Sequence, residues 1–498
     1  MTILAIDAGT TGVTALLVSA DARVVARGYS EFPQHFPADG WVEHDPNEIW
    51  TATLSALDEV LKSEAVTEHG APTAVGITNQ RETVVLWDRE TLGAARMAIV
   101  WQDRRTAGYC DQLKADGHEA RVSELTGLRL DPYFSGSKLA WIRKQEPNVW
   151  AGVTEGRTAI GTVDSYLIAR MTRGVSHITD ASNACRTLLF DISTGEWSQE
   201  LCDLFGVPVE ALPEVVPSYG VVATTDPSAF AGLELPIAGI AGDQQAALFG
   251  QAGFATGSSK CTYGTGSFVL VNTADTIVRS DAGLLSTVAW KHPDGTLTYA
   301  LEGAIFVTGA AVQWLRDGLQ IIESASETEE LANSVPNSAG VVFVPALTGL
   351  GAPDWDPNAR GAIFGLTRGA TKAHIVRATL EAIAFEVRDV VDVMTNEADI
   401  ELPRLTVDGG AAANNFLCQI QANQVRVPVV RSEILETTGL GAAFLAGLGT
   451  GLWANQEELA ATWRSDATFA PQPRDEHAHR RWRVAVERTK GWATAVST

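Results

Sequence analysis

The stretch GIAGDQQAA, residues 239–247, places a single carboxylate, Asp243, among small residues with two glutamines directly after it. The apolar run IAGIA at 237–241 leads into it and predicts a short buried strand. A carboxylate at the end of a buried strand faces a crevice, where it can contact a ligand and accept a proton from it. The alternative is a turn in which Asp243 bonds only to its own backbone. The other motifs of the chain favour the first interpretation.

Glycine-rich turns follow predicted strands elsewhere in the chain. The strand at 3–6 leads into DAGTTG at 7–12, and strands at 13–18 and 24–29 continue it as an antiparallel meander. Backbone N–H groups and threonine hydroxyls of such a turn can hold phosphate oxygens, and Asp7 can hold Mg²⁺ through water. An ordinary hairpin turn is the alternative. The turn is neither a Walker A loop, because no GKS or GKT follows, nor a GxGxxG fingerprint.

The second half of the chain repeats this arrangement. A predicted strand at 260–263 leads into the turn GTGS at 264–267 and then into a strand at 268–271. A strand at 405–408 ends in a glycine pair and enters a helix from residue 411, and helix starts of this kind are ready phosphate sites. We interpret the pattern as an internal repeat of architecture rather than of sequence.

Helical and strand patterns alternate between these motifs. Asp45 is a predicted helix N-cap, with Pro46 in the first turn and Glu48 completing a capping box. Apolar residues then recur at helical spacing up to residue 61, and a strand is predicted at 74–78. This alternation over 498 residues predicts an α/β protein of several domains.

The composition excludes several classes of protein. The 37 basic and 60 acidic side chains give a net charge of −23, which argues against a nucleic acid or an anionic membrane surface as partner. It does not exclude a phosphate ligand, because backbone N–H groups and a metal ion can bind one. The sequence has no run of about 18 apolar residues, so we expect no membrane insertion. Five cysteines without CxxC spacing and an N-terminus without a signal-peptide pattern predict reduced thiols in a cytoplasmic protein.

Two further features are candidates for binding a small polar ligand. Arg81 and Glu82 directly follow the strand at 74–78, and a guanidinium beside a carboxylate can hold vicinal hydroxyls through donors and acceptors. The alternative is a surface ion pair, which is the more common situation. Trp101 can be a ligand-covering aromatic or an ordinary core residue.

These motifs resemble the FGGY carbohydrate kinases and, within that family, the members that phosphorylate glycerol. The similarity runs from residue 3 to about residue 453 and includes both family signatures, at 133–142 and at 361–381. The most specific stretches are GWVEHDP at 40–46, GITNQRET at 76–83, DPYFSG at 131–136, GDQQAALFG at 242–250 and GLGAP at 349–353.

The resemblance implies two actin-like (ribonuclease H-like) ATPase domains, at 1–250 and 251–498, flanking an interdomain cleft. It implies phosphorylation of glycerol to sn-glycerol 3-phosphate with ATP and Mg²⁺, and a homodimer or homotetramer. Asp243 is the implied general base, and Asp7 and Asp243 lie near the metal. The hydroxyls are assigned to Arg81, Glu82, Tyr133, Asp243 and Gln244, and the carbon chain to Trp101 and Phe268. The nucleotide is assigned to Thr10, Thr11, Gly12, Thr265, Gly309, Gln313, Gly410 and Asn414.

The chain departs from the family pattern in its first phosphate turn. The family usually has Gln after the aspartate and Arg a few residues later, whereas this chain has Ala8 and Thr14. One cationic contact near Asp7 or the phosphates is therefore missing, and we expect altered nucleotide affinity rather than loss of activity. The stretch 230–236 has no Arg and carries an acid, and no His lies between His177 and His292. We therefore expect neither inhibition by fructose 1,6-bisphosphate nor activation by histidine phosphorylation.

Two alternative functions remain open at this stage. One is a family kinase for a larger polyol or a ketose, although the bulk of Trp101 and the Arg81–Glu82 pair argue against a longer substrate. The other is an actin-like nucleotide switch without a small-molecule acceptor. Such a switch would retain Asp7, Thr265 and Gly410, but it would not need Tyr133, Trp101 and Gln244 together.

Overall fold

The fold is described from a computed structural model, which describes residues 1–495, and it confirms the predicted α/β class. Its strands are β1 (Thr2–Ala8), β2 (Gly12–Ser19), β3 (Val24–Glu31), β4 (Glu43–His44), β5 (Pro72–Asn79), β6 (Val85–Asp88), β7 (Ala98–Ile99), β8 (Thr158–Gly161), β9 (Ile178–Asp180), β10 (Phe190–Asp191), β11 (Glu196–Trp197), β12 (Glu214–Val216), β13 (Tyr219–Thr224), β14 (Pro236–Gly242), β15 (Ser259–Tyr263), β16 (Ser267–Ala274), β17 (Leu285–Lys291), β18 (Leu297–Ile305), β19 (Val342–Val344), β20 (Ala362–Phe364), β21 (Leu405–Asp408), β22 (Val429–Ser432) and β23 (Ser465–Phe469).

The α-helices lie between and around these strands. They are α1 (Pro46–Leu61), α2 (Glu64–His69), α3 (Ala107–Ala115), α4 (Glu119–Thr126), α5 (Ser135–Gln145), α6 (Pro147–Thr154), α7 (Val163–Met171), α8 (Ala181–Ala184), α9 (Gln199–Phe205), α10 (Asp243–Gly250), α11 (Gly309–Gln313), α12 (Glu327–Asn333), α13 (Lys372–Ala398), α14 (Asn415–Val425), α15 (Thr437–Gly449), α16 (Gln456–Thr462), α17 (Glu476–Thr489) and α18 (Trp492–Ala495). Short 3₁₀ turns cover Val209–Ala211 and Gly410–Ala413, and a π-helical turn covers Trp314–Gly318.

Two large mixed sheets repeat the same unit, as the sequence predicts. The first sheet has the order β13-β14-β5-β1-β2-β3, in which β1, β2 and β3 form the antiparallel meander and β1, β5 and β14 run parallel. The second sheet has the order β17-β18-β16-β15-β21-β22-β23. In it β15, β16 and β18 are the antiparallel meander, and β15, β21 and β22 run parallel. Five strands therefore correspond in order and direction.

Helices cover both faces of the first sheet. One face packs on α1 and α7 through a core that includes Ile49 and Leu167. The other face packs on α10 and α15, and this cluster also takes in Leu270 and Trp290 of the second sheet. A Cβ at Gly441 of α15 would lie 1.8 Å from the carbonyl oxygen of Ala246 in α10, so glycine is required for the two helices to cross this closely. Burial of this shared apolar cluster joins the two sheets.

Several local predictions need correction. The small residues around Asp243 form no separate turn, because Asp243 is the first residue of α10 and follows β14 directly. Asp45 does cap α1, but Glu48 bonds to His35 Nε2 at 3.0 Å instead of completing a capping box. The helix predicted from residue 411 starts as a 3₁₀ turn, and α14 begins only at Asn415.

Two predictions from composition can be compared with the structure. All five cysteines are free thiols with buried side chains, as their spacing predicts. Among residues 1–495, none of the helices combines the length and the apolar character that crossing a lipid bilayer would require.

Candidate active site

The Asp243 carboxylate is reachable from the cleft between the two sheets. Its side chain is 27% exposed, whereas that of its partner Arg81 is only 1% exposed. Arg81 Nε lies 3.2 Å from Asp243 Oδ1, and the same oxygen accepts a hydrogen bond from the backbone of Gln244 at 2.7 Å. Both interpretations of the motif are thus partly right: the aspartate bonds its own helix start, and it also faces open space.

A buried ion network lies beneath this carboxylate. Arg81 binds Glu302 with both terminal nitrogens, at 2.6 and 3.2 Å, and Arg186 donates to Glu302 at 2.8 Å and to Glu82 at 2.7 Å. Burial raises the pKa of Glu302, but Arg186 and Arg81 outweigh it and lower the pKa to about 2. Because Glu302 belongs to β18 and Arg81 follows β5, the network holds the two sheets together at the site.

Arg81 and Glu82 are therefore not a surface ion pair. Both side chains are 1% exposed, and Glu82 has the left-handed backbone value φ 63°, which is uncommon for a residue with a side chain. Ser135 Oγ donates to the Glu82 carbonyl at 2.9 Å and helps to hold this conformation. Such strain is typical of functional sites, and here it accompanies a carboxylate that is paired with Arg186 through Oε1.

Three aromatic rings converge on the same place from both halves of the chain. The ring of Trp101 lies 5.6 Å from that of Tyr133 and 6.4 Å from that of Phe268, each edge-on. The guanidinium of Arg81 lies 5.8 Å from the centre of the Phe268 ring, and Nη2 donates weakly to the Tyr133 hydroxyl at 3.4 Å. Charged groups thus lie next to apolar rings, a combination that suits a ligand with a polar and an apolar edge.

Three polar side chains, Gln34, His44 and Gln80, form a hydrogen-bonded group, called here the polar platform, that supports the turn between β1 and β2. Gln80 Nε2 donates to the Gly9 carbonyl at 2.9 Å, and Gln34 Nε2 donates to the Thr10 carbonyl at 2.8 Å. His44 lies between the two glutamines, 2.6 Å from Gln34 Oε1 and 3.3 Å from Gln80 Nε2. Burial, with a smaller effect of His35, lowers the pKa of His44 to about 4, so the platform is uncharged at neutral pH.

Trp101 connects the aromatic walls with this turn. Its indole Nε1 donates to Thr10 Oγ1 at 3.0 Å, which leaves the Thr10 hydroxyl hydrogen free to donate to another group. Thr11 is exposed at the tip of the turn and Gly12 begins β2. The tryptophan is therefore more than the core residue that the alternative interpretation assumed.

Asp7 lies at the end of β1, directly across from Thr14 of β2. Burial raises the pKa of Asp7 to about 7, and the negative charge of Asp243 acts in the same direction. Burial also raises the pKa of Asp243, although Arg81 and Lys260 oppose this shift. The two carboxylates thus lie near enough to repel each other, and the position across from Asp7 carries no cation.

The turn between β15 and β16 is joined to the start of α11 by backbone hydrogen bonds. Thr308 and Ala310 donate backbone hydrogen bonds to the Thr265 carbonyl at 2.8 and 3.1 Å, and Gly309 donates to the Gly264 carbonyl at 3.0 Å. These bonds bring the candidates Thr265 and Gly309 together. Gln313 lies exposed at the other end of the same short helix.

The remaining nucleotide candidates lie at the end of β21. Gly409 has φ 83°, and a Cβ there would lie 2.5 Å from the Tyr263 carbonyl oxygen, so the chain passes close to the end of β15. Gly410 is exposed and has open space around it. Asn414 uses its side chain otherwise: Oδ1 caps α14 by accepting from Leu417, and Nδ2 donates to Thr328 at 3.0 Å.

Sequence reasoning missed three buried charges at this site, Arg186, Glu302 and Lys260. Each sits in a short segment that is otherwise mostly apolar or uncharged: CRTLLF, YALEGAI and SKCTY. A lone charge inside a buried strand must be paired, because an unpaired buried charge is very costly. That signal was available, although it does not say which partners meet.

The chain is similar to known proteins over nearly its whole length. The models of the FGGY family of carbohydrate kinases match the N-terminal domain at residues 2–250 and the C-terminal domain at residues 259–450. A glycerol kinase of Symbiobacterium thermophilum is 52% identical over 494 residues, covering 99% of each chain. The glycerol kinase 2 of Thermotoga maritima is 50% identical over 493 residues, covering 98% of this chain and 99% of that protein.

Among solved structures, the glycerol kinase of Plasmodium falciparum with ADP matches with a TM-score of 0.90. That protein is 36% identical in sequence, and the match covers 98% of each chain. The similarity thus extends over both sheets and the cleft between them.

Proposed function

The chain belongs to the FGGY family of carbohydrate kinases, and we propose that it transfers the γ-phosphoryl group of ATP to glycerol, giving sn-glycerol 3-phosphate and ADP. The observation that carries the proposal is the position of Asp243. Its carboxylate is open to the cleft and pairs with Arg81, which lies against the converging aromatic rings. One of these rings, Trp101, donates to Thr10 of the first phosphate turn. An acceptor alcohol and a phosphoryl donor would meet at this point.

Glycerol would bind between the charged groups and the aromatic walls. Its hydroxyls would contact Asp243, Gln244, Tyr133 and the Arg81–Glu82 pair, while Trp101 and Phe268 would cover its carbon chain. Arg81 and Glu82 already have partners, so they would act as a fixed surface rather than as mobile side chains. Preorganised groups of this kind lower the cost of ordering on binding.

Asp243 would accept the proton of the primary hydroxyl as that oxygen attacks the γ-phosphorus. Arg81 favours the anionic form of this carboxylate, which a general base requires. Phosphoryl transfer otherwise depends on in-line positioning and on donors that neutralise charge. Thr10, Thr11 and Gly12 on one side, and Thr265, Gly309 and Gly410 on the other, would supply hydroxyl and backbone donors to the nucleotide. Gln313 and Asn414 would flank it.

A magnesium ion fits the two carboxylates of the cleft. Within residues 1–495 there is no group of three or more His, Cys, Asp or Glu side chains arranged to hold a metal ion. Mg²⁺ does not need one, because it is usually bound by one or two carboxylates together with phosphate and water. Asp7 and Asp243, whose pKa values are raised by burial, would hold it. When bound, the ion neutralises phosphate charge.

The division into domains at residue 250 stays a prediction, as do the homo-oligomeric state and the cytoplasmic location. Helix α15 lies in the predicted C-terminal domain, yet it packs against strands β1, β2, β5, β13 and β14 of the first sheet. Separating the chain into two fragments at residue 250 would therefore expose the apolar surface at which α10 and α15 pack together.

Glycerol-dependent release of ADP tests the proposal directly. We expect release with glycerol and Mg²⁺-ATP, and far slower release without the alcohol. A nucleotide switch without an acceptor would release ADP equally in both cases, which would overturn the proposal. Comparing glycerol with dihydroxyacetone, erythritol and xylulose separates it from a kinase for a larger polyol or a ketose, since kcat/KM should be highest for glycerol.

A further inference from the structure

The side chain of Gln244 is held by a buried lysine that the proposed mechanism does not use. Lys260 Nζ donates to Gln244 Oε1 and, at 2.9 Å, to Thr262 Oγ1. Lys260 is fully buried on β15 of the second sheet, whereas Gln244 lies on α10 after the first sheet. The contact therefore crosses between the two halves of the protein beside Asp243.

The chemistry of this contact fixes the orientation of the amide. Burial lowers the pKa of Lys260 to about 8, and Asp408 opposes the shift, so the amine carries its proton at neutral pH. A protonated lysine has three donors and no acceptor, so only the carbonyl oxygen of an amide can face it. The usual ambiguity between the oxygen and nitrogen of a glutamine amide is thereby removed.

The nitrogen of the same amide is left without a protein partner. No residue in the described part of the chain accepts a hydrogen bond from Gln244 Nε2, although Gln244 is only 7% exposed. The adjacent Asp243 opens to the cleft. Gln244 Nε2 is not among the fully enclosed unpaired polar atoms, so it is accessible to a ligand that accepts a hydrogen bond.

We propose that Lys260 is a positioning residue that holds the Gln244 amide with its NH₂ group available to the acceptor pocket. The pocket then requires a hydrogen-bond acceptor at that point of its ligand, such as a hydroxyl oxygen, and rejects an ammonium group there. This inference rests on the proposed function, because it assumes that an alcohol occupies the pocket. Lys260 acts through Gln244 and does not itself contact the substrate.

The first test is the variant Lys260→Met, which keeps the bulk of the side chain but removes the donor. We expect the KM for glycerol to rise about tenfold with a smaller change in kcat, because a charge-assisted hydrogen bond to the amide is lost in all bound states. Thr262→Val is the matched control, since it removes the other partner of Lys260 and leaves the amide contact. It should change the KM less than about threefold.

A double-mutant cycle separates positioning from a general charge effect. If Lys260 positions the amide, Lys260→Met should not change the KM for glycerol further once Gln244→Ala is present, so the two KM changes should not add. The charge of Lys260 also acts on Asp243, and that effect should appear in kcat rather than in the KM. Additive KM changes would overturn the proposal, because the lysine would then affect glycerol binding by a route other than the amide. Thermal midpoints of all four proteins check that they are folded.

Gln244→Glu provides a second test should Lys260→Met fail to fold. The new carboxylate can pair with Lys260 but has no donor for the pocket, so kcat/KM for 3-amino-1,2-propanediol relative to glycerol should rise about tenfold. An unchanged ratio would overturn the proposal. If the unmodified protein fails to phosphorylate glycerol at all, the proposed function fails; if it is active and the cycle is additive, only the role of Lys260 fails.

Discussion

The two sheets contain the same unit of five strands but finish their strands with different chemistry. In the hairpin of β1 and β2, Asp7 pairs with Thr14 one position before the final cross-strand pair, and β14 leads directly into Asp243. In the hairpin of β15 and β16, the corresponding pair is Thr262 with Phe268. Strand β22, which has the place of β14 in the second sheet, ends at Ser432. The first unit thus carries the reactive acids, and the second offers hydroxyls, backbone groups and an apolar wall.

This difference shows how one architecture can supply two halves of a reaction site. The acceptor side is specified by side chains that are charged, buried and mutually bonded, such as Arg81 and Glu302. The nucleotide side is specified by turns whose donors belong to the backbone and to threonine. Losing one side chain should therefore damage the acceptor side much more than the nucleotide side.

The largest effect is expected for Asp243→Asn. Removing a general base typically costs about 10²–10⁴-fold in turnover, and kcat should fall by this amount while the unfolding midpoint stays within a few degrees. Asp408→Asn is the control from the second sheet, because its Oδ2 is occupied by Gln251 and Thr437. It should lower stability more than activity. Equal losses of kcat in both variants would contradict the proposal that the catalytic acid belongs to the first sheet only.

Glu302→Gln comes next, because it leaves Arg81 and Arg186 without their shared anion. Breaking a buried ion pair costs about 3–5 kcal/mol in the free energy of unfolding, and release of Arg81 should also raise the KM for glycerol. Glu476, which contacts Arg388, Arg426 and Arg474 near the surface, is the control. Glu476→Gln should have a smaller effect on stability and none on the KM. Denaturant unfolding and steady-state kinetics measure both.

The buried histidines should make stability depend on pH. His44 and His177 have pKa values lowered to about 4 by burial, below the ordinary 6.5, so the unfolded chain binds more protons. Their contribution is present above pH 6.5 and is lost as the pH falls towards 4. Between pH 7 and 5 each histidine should cost roughly 2 kcal/mol in the free energy of unfolding.

Variants of the two histidines separate stability from the phosphate turn. His44→Asn and His177→Asn should each flatten the pH dependence by a similar amount. Only His44→Asn should also raise the KM for ATP, because His44 braces Gln34 and Gln80 beneath the turn, whereas His177 bonds to Ile160 and Arg89. If both variants change the KM alike, the platform has no specific role.

The smallest effect is expected for Thr14→Arg, which places a cation across from Asp7. The added charge should lower the KM for ATP by about threefold, in line with a partly exposed ion pair, and should leave the KM for glycerol unchanged. A higher KM for ATP would show that the present threonine is needed for packing instead. Titration of nucleotide affinity in both proteins decides this.

The sequence predicts the repeated strand–turn–strand units because their hydrophobic runs and glycines are local signals. It could not predict the network around Arg81, since Glu302 lies 221 residues away and only the pairing of the two sheets brings them together. Glu48 illustrates the opposite failure. Its local spacing fits a capping box, but a tertiary contact with His35 takes the carboxylate away. Local turns and strands could thus be predicted from the sequence, whereas the partners of side chains that are distant in the sequence could not.

The most direct test of the account is the structure of the protein with glycerol and a nonhydrolysable ATP analogue. We expect an Asp243 carboxylate oxygen within hydrogen-bond distance, about 2.6–3.2 Å, of a primary hydroxyl whose oxygen points at the γ-phosphorus. The glycerol should lie between Trp101 and Phe268. A glycerol hydroxyl that faces the γ-phosphate with Asp243 turned away from it, or bonded only to Arg81, would contradict the assignment of this aspartate as the base.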